Sequence, residues 1–153
     1  MFEINKKLEK GKHKLKDVVK GLDASYVLIE VFGDELNKAL NATVELNDHK
    51  MIMWIDEDRE LISVNYDYFK KTENIILYLD FVHELIHIKQ LWKGEELFNE
   101  KYSYVDRPTE VEAYKYTVKE AKRIGLSKLQ IIDYLKVDWV SNEDHRRLVE
   151  KVL

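Results

Sequence analysis

The order of apolar and polar residues predicts one helical segment, a short β-region and then four more helices. Residues 22–40, LDASYVLIEVFGDELNKAL, place Val27, Val31, Leu36 and Leu40 at roughly helical spacing, with Asp23 available to cap the start. Gly33 interrupts that stretch, and a glycine weakens a helix interior. Three strand-like runs follow: Thr43–Leu46, Lys50–Ile55 and Glu60–Asn65. MIMWI and LISV are rich in apolar and β-branched residues, and the DEDRE between them is a polar turn, so the last two runs predict a β-hairpin. From Thr72 the period becomes helical in TENIILYLDFVHELIHIKQLWKG. Thr72 is the expected N-cap, Glu73 lies in the first turn, and Lys89 and Lys93 precede a terminating Gly94. Apolar residues cover most of its circumference, which predicts a central, buried helix. After a polar loop, GEELFNEKYSYVDR, Pro108 opens another helix that Gly125 ends. Ser127 and Ser141 are placed to cap two more, running through Lys136 and Leu153.

No repeat, low-complexity tract or linker divides the chain, so the expectation is a single α+β domain over residues 1–153. It would consist of a small antiparallel sheet followed by helices. A chain of 153 residues, 45% hydrophobic and 35% charged, can bury a core of its own. The absence of cysteine excludes disulfide frameworks, thiolate zinc fingers, iron–sulfur clusters and cysteine nucleophiles. Any metal must be held by histidine and carboxylate. The apolar stretch from Ile75 to Ile88 is broken by Asp80, His83, Glu84 and His87, so no membrane span is expected. The first residues also lack an apolar signal-peptide core, which leaves a cytoplasmic protein as the expectation.

A net charge of −4 argues against a dedicated nucleic-acid binder. The charge is uneven, however. Residues 1–20 carry seven lysines against Glu3, Glu9 and Asp17, a net of +4, and the remainder carries −8. The expected form of this basic stretch is a solvated, mobile leader, and contact with nucleic acid or an acidic partner is the alternative.

The run that carries chemistry is His83-Glu84-Leu85-Ile86-His87. Residues four apart share a helix face about one turn apart, so both imidazoles can reach one metal ion. Glu84 lies about 100° round from His83, beside the metal, where its carboxylate can take a proton from metal-bound water. Random ordering of this composition gives on the order of 0.02 such matches. Two histidines and a glutamate inside an apolar helix also need partners. A catalytic zinc site has three protein ligands and one open position. Glu95, Glu96, Asp106, Glu110 and Glu112 are the candidates for the third. Helical phase selects Glu110: Val111, Tyr114, Val118 and Ala121 form an apolar stripe centred near it, whereas Glu112 falls about 200° away. A carboxylate on the inward face needs a compensating charge, which a metal ion supplies.

With HELIH on one helix and a glutamate ligand on a later one, residues 43–125 resemble the gluzincin metallopeptidases. The segment E110-V-E-A113-Y is similar to the E-x-x-A-[DN] pattern of their glutamate helices. The layout is similar to the minimal gluzincins and to the catalytic cores of membrane-bound HExxH peptidases, without their membrane spans. The resemblance implies a zincin-like fold, Zn²⁺ held by His83, His87 and Glu110, and Glu84 as general base. Tyr114 departs from the pattern, because many members have Asp or Asn there to orient a ligand histidine. Asp80, one turn before His83, is the candidate replacement.

The expected function is therefore zinc-dependent hydrolysis of peptide bonds in a peptide or protein substrate. Tyr102, Tyr104, Arg107, Tyr114, Tyr116 and His145 are the candidates for stabilising the oxyanion. If Glu60–Asn65 is a sheet edge beside the cleft, an extended peptide can pair with it, near Trp54, Tyr66, Tyr68 and Phe69. Two other readings stay open. One is zinc hydrolysis of a non-peptide amide. The other is a zinc-bearing binding or regulatory module that contacts nucleic acid through the N-terminal lysines.

Overall fold

The computed structural model describes residues 1–153 and is α+β, with two small sheets and a set of helices. The basic N-terminal stretch is part of the fold and not a solvated leader. Its elements are β1 (Glu3–Ile4), β2 (Gly11–Lys14), a single helical turn α1 (Leu15–Val18) and β3 (Val19–Lys20). Strand β1 pairs antiparallel with β3, and Leu15, Val18 and Val19 are buried in the core. The reason lies in the pattern: apolar residues interleave with the lysines, so the chain can bury one set and solvate the other. Even the lysines are engaged, since Lys6 Nζ donates to the carbonyl of Thr72 at 2.6 Å and Lys10 pairs with Asp48 at 2.8 Å.

The helix expected over 22–40 is broken into shorter pieces. A 3₁₀ turn (Leu22–Ala24) leads into α2 (Tyr26–Phe32), and a second turn (Gly33–Glu35) leads into α3 (Leu36–Leu40). Ser25 caps α2 in place of Asp23 by accepting the Leu28 N–H at 3.2 Å. Gly33 adopts φ +52°, which takes the chain out of the helix.

The main sheet contains β4 (Thr43–Asn47), β5 (Met53–Asp56) and β6 (Leu61–Asn65), in the order β2-β4-β6-β5. The β5–β6 hairpin forms as the pattern predicts. The sheet as a whole is mixed, though, because β4 and β6 run parallel. Strand β6 is therefore interior and cannot be the edge beside a cleft. Its first four residues, Leu61 to Val64, are all buried, as expected of a strand covered on both faces. The edges belong to β2 and β5.

A short helix absent from the sequence reading, α4 (Tyr66–Lys71), follows β6. The Asn65 side chain caps it by accepting the Tyr68 N–H at 2.9 Å. Thr72 closes α4, so the central helix α5 (Asn74–Trp92) starts two residues later with Glu73 in the N-cap position. From Leu77 to Ile88 every α5 residue except Asp80 is buried. Gly94, at φ +81°, ends it. Helix α6 (Pro108–Arg123) begins with proline and packs on α5 through Glu110, Ala113, Tyr114, Thr117, Val118 and Ala121, all buried. Ser127 and Gln130 form a capping box on α7 (Lys128–Leu135), and Ser141 caps α8 (Asn142–Val152). No helix is long and apolar enough to cross a membrane.

Candidate metal centre

The 3.6-residue turn of α5 stacks His83 and His87 on the side that meets α6, and Glu110 faces them from the first turn of α6. All three are buried, at 7%, 3% and 4% exposure. Their donor atoms converge: His83 Nε2 lies 2.9 Å from Glu110 Oε1, His87 Nε2 lies 3.2 Å from the same oxygen, and the two Nε2 atoms are 3.1 Å apart. Ligands at ~2.0–2.1 Å from a tetrahedral zinc stand ~3.3 Å from each other. The triangle is therefore close to the size that one ion requires, and these residues form a group able to hold a metal ion.

The hydrogen-bond network fixes which nitrogen of His87 faces the centre. Gln90 Nε2 donates to the carbonyl of Thr109 and to Glu112 Oε1, both at 2.9 Å. That leaves Gln90 Oε1 to accept from His87 Nδ1 at 2.7 Å. When neutral with its proton on Nδ1, His87 presents the Nε2 lone pair to His83 and Glu110, the form that a metal ion would bind. Two imidazole nitrogens and a carboxylate oxygen facing one point need a cation, a proton or a metal ion, among them. The Nδ1 atom of His83 is buried without a hydrogen-bond partner. Gln90 was missed in the sequence, although a glutamine inside an apolar helix, three residues after His87, carries the same signal as the histidines. Glu112 is turned away from the histidines, as its phase predicts, and holds Gln90.

Electrostatics at the centre favour positive charge. Burial works against the ionised form of Glu110, but its hydrogen bonds to His83 and His87 outweigh this and hold its carboxyl well below the usual range. Burial likewise opposes charge on His87, yet the bond to Glu110 and the Glu110 and Glu84 charges raise its pKa to about 9. Burial lowers the pKa of His83 despite Glu110. The ionised Glu110 thus favours positive charge on the imidazoles that face it.

Glu84 lies beside the triangle and lines a cleft of about 640 Å³ together with His83, His87 and Glu110. It is 8% exposed, and no protein group donates to its carboxylate. Burial pushes its pKa up to about 8; His87 opposes the shift, and Glu110 and Asp80 add to it. At that value the carboxyl keeps its proton at neutral pH, and a cation held by the neighbouring triangle would favour the ionised form that can accept one.

Of the six oxyanion candidates, Tyr104, Arg107 and Tyr114 line this cleft. Tyr102 and Tyr116 do not, and His145 Nε2 lies 2.8 Å from the Ile132 carbonyl, facing away from the site. The Tyr104 and Tyr114 hydroxyls are 2.6 Å apart, and the Tyr114 ring lies on His83 with centroids 4.3 Å apart. Burial holds both phenols protonated, far above their ordinary pKa. Asp80 makes no hydrogen bond to His83, whose Nδ1 has no partner, so it does not orient that histidine; it accepts hydroxyls from Tyr68 and Tyr134. Trp54 and Tyr68 line the cleft, Phe69 is in the core, and Tyr66 sits under Lys10 and Lys70.

No family model, curated protein or solved structure matches this chain, so the likeness to gluzincins rests on its own residues.

Proposed function

We propose that the chain is a zinc-dependent metallopeptidase of the gluzincin kind. The observation that carries this reading is the convergence of His83 Nε2, His87 Nε2 and Glu110 Oε1 within 3.2 Å of one another, beside the unpartnered carboxylate of Glu84. The donor set, two imidazoles and one carboxylate, suits a hydrolytic zinc with an open position. When bound, zinc would supply a Lewis acid that polarises the scissile carbonyl and makes water acidic enough to attack at neutral pH. Glu84 then takes the proton of the attacking water and passes it to the leaving nitrogen, a role that its place in the cleft beside His83, His87 and Glu110 supports. The Tyr104–Tyr114 pair supports oxyanion stabilisation, because one hydroxyl donates to the other and leaves the second O–H free for a substrate oxygen. Edge strand β5, whose Met53, Trp54 and Ile55 line the cleft, offers backbone groups to an extended peptide.

The test is metal content and peptide cleavage of the purified protein against variants. Stoichiometric zinc in the parent and its loss in His83→Ala and Glu110→Ala are expected. Zinc retained in both variants, or Glu84→Gln cleaving as fast as the parent, would refute the reading.

A further inference from the structure

Two carboxylates buried between α5 and α6 have basic partners. Glu120 pairs with Arg123 at 2.7 Å, and Glu110 faces two imidazoles. Asp80 does not. Its two partners are the neutral hydroxyls of Tyr68, from α4, and Tyr134, from α7, the latter at 2.7 Å, and no Lys, Arg or His lies within ion-pair distance. The residue lines the metal-centre cleft one helical turn before Glu84, about 6 Å along the axis. Unlike its neighbours on α5 it remains partly open to that cleft.

The hydrogen-bond chemistry of this spot is one-sided. Each tyrosine spends its only proton on Asp80, so both phenolic oxygens are left as acceptors alongside the carboxylate. A group entering here meets the carboxylate and the two phenolic oxygens, and the carboxylate has no ion-pair partner. Exposed Asp133 and Asp138 at the mouth add to the negative field. None of the cations lining the cleft pairs with Asp80: Lys136 Nζ donates to the carbonyls of Val137 and Val140, Arg107 Nε donates to that of Asn99, and Lys50 is exposed. A donor-only cation, ammonium or guanidinium, complements every one of these features.

We propose that Asp80, Tyr68 and Tyr134 form a subsite for a positively charged group of the substrate, which makes Asp80 a specificity-determining residue of the cleft. The subsite deepens the peptidase reading and rests on it. The charge comes from a Lys or Arg side chain or from a free peptide N-terminus, and both present the same donor-only group.

Binding to zinc-loaded Glu84→Gln protein tests this without turnover. Four otherwise identical peptides, labelled at the C-terminus, carry lysine or norleucine at one position and a free or acetylated N-terminus. The expected result is binding on the order of tenfold tighter for a cationic member than for the acetylated norleucine peptide. A preference among the acetylated pair assigns the side chain, and one among the norleucine pair assigns the α-amine. Adding Asp80→Asn should erase the preference, with zinc stoichiometry and melting reporting that the variant folds; Asp80→Ser serves where Asn disturbs the tyrosines. Equal affinities, a preference that survives both substitutions, or no binding up to about 1 mM overturns the subsite. Cleavage by the parent is scored separately. Asp80-dependent binding without cleavage removes the peptidase reading and leaves the subsite; cleavage without charge preference removes the subsite alone.

Discussion

Helix α6 carries two buried glutamates that face α5, and they are satisfied in opposite ways. Glu120, fully buried, accepts from Ser25 at 2.8 Å, from Tyr78 at 2.5 Å and from both arms of the Arg123 guanidinium at 2.7 and 2.8 Å. Its partners come from the α2 cap, α5 and α6, so it ties three elements together, and every donor belongs to the protein. Glu110 lies ten residues earlier, on the floor of a cleft, and its partners are two imidazole nitrogens, each able to carry a proton or to bind a metal ion. A carboxylate whose partners all have fixed protons to give serves the fold; one whose partners can exchange a proton for a metal ion is arranged for something from outside. Burial alone does not separate the two, because both are nearly inaccessible.

Four experiments probe that contrast. The largest effect is expected at Glu84, which shares the cleft with Glu110. Glu84→Gln should keep zinc and lower peptide turnover by ~10²–10⁴, read as kcat/KM at equal zinc content. Next, Glu120→Ala should lose about 3 kcal/mol of stability, because it leaves a buried serine and tyrosine hydroxyl unpaired. It should retain zinc, whereas Glu110→Ala should lose zinc and still fold. Denaturant titration with metal analysis checks both halves, and a Glu120 variant that loses the metal would erase the distinction. Gln90→Ala frees the His87 ring and should weaken zinc binding about 10–100-fold, measured by chelator competition.

The smallest effect concerns pH. Burial raises the Asp80 pKa to about 6 against the two tyrosine hydrogen bonds. The native state therefore binds this proton more tightly than the unfolded chain does. Its stabilising effect is present at low pH and is lost as pH rises from about 4 to about 6. The loss should be roughly 1–2 kcal/mol once the residue's opening to solvent is allowed for. The difference in stability between parent and Asp80→Asn should follow that curve; a difference that is flat with pH contradicts it.

What could be read from the sequence follows from the range of the interactions. HELIH and the inward phase of Glu110 depend on helix geometry over a few residues, and the structure brings those side chains together. The Ser127 and Ser141 caps and the β5–β6 hairpin are equally local. The parallel β4–β6 pairing and the docking of β2 on β4 depend on distant partners, so the pattern left an edge position open for β6 and made the first twenty residues look like a leader. The six-residue helix α4 leaves too little pattern to register after a strand. Asp80 looked like a stand-in for an absent carboxylate; only the packing of α4 and α7 around α5 shows that its partners are Tyr68 and Tyr134.

The two outer strands of the main sheet differ in a way that bears on storage and handling. Strand β2, Gly-Lys-His-Lys, presents lysines that repel an approaching chain, whereas β5 carries Met-Trp-Ile beside the cleft. Self-association by strand addition has a charged barrier on one flank and none on the other. Concentrated solutions should therefore lose material through the cleft flank, and an occupant of the cleft should act as a solubiliser.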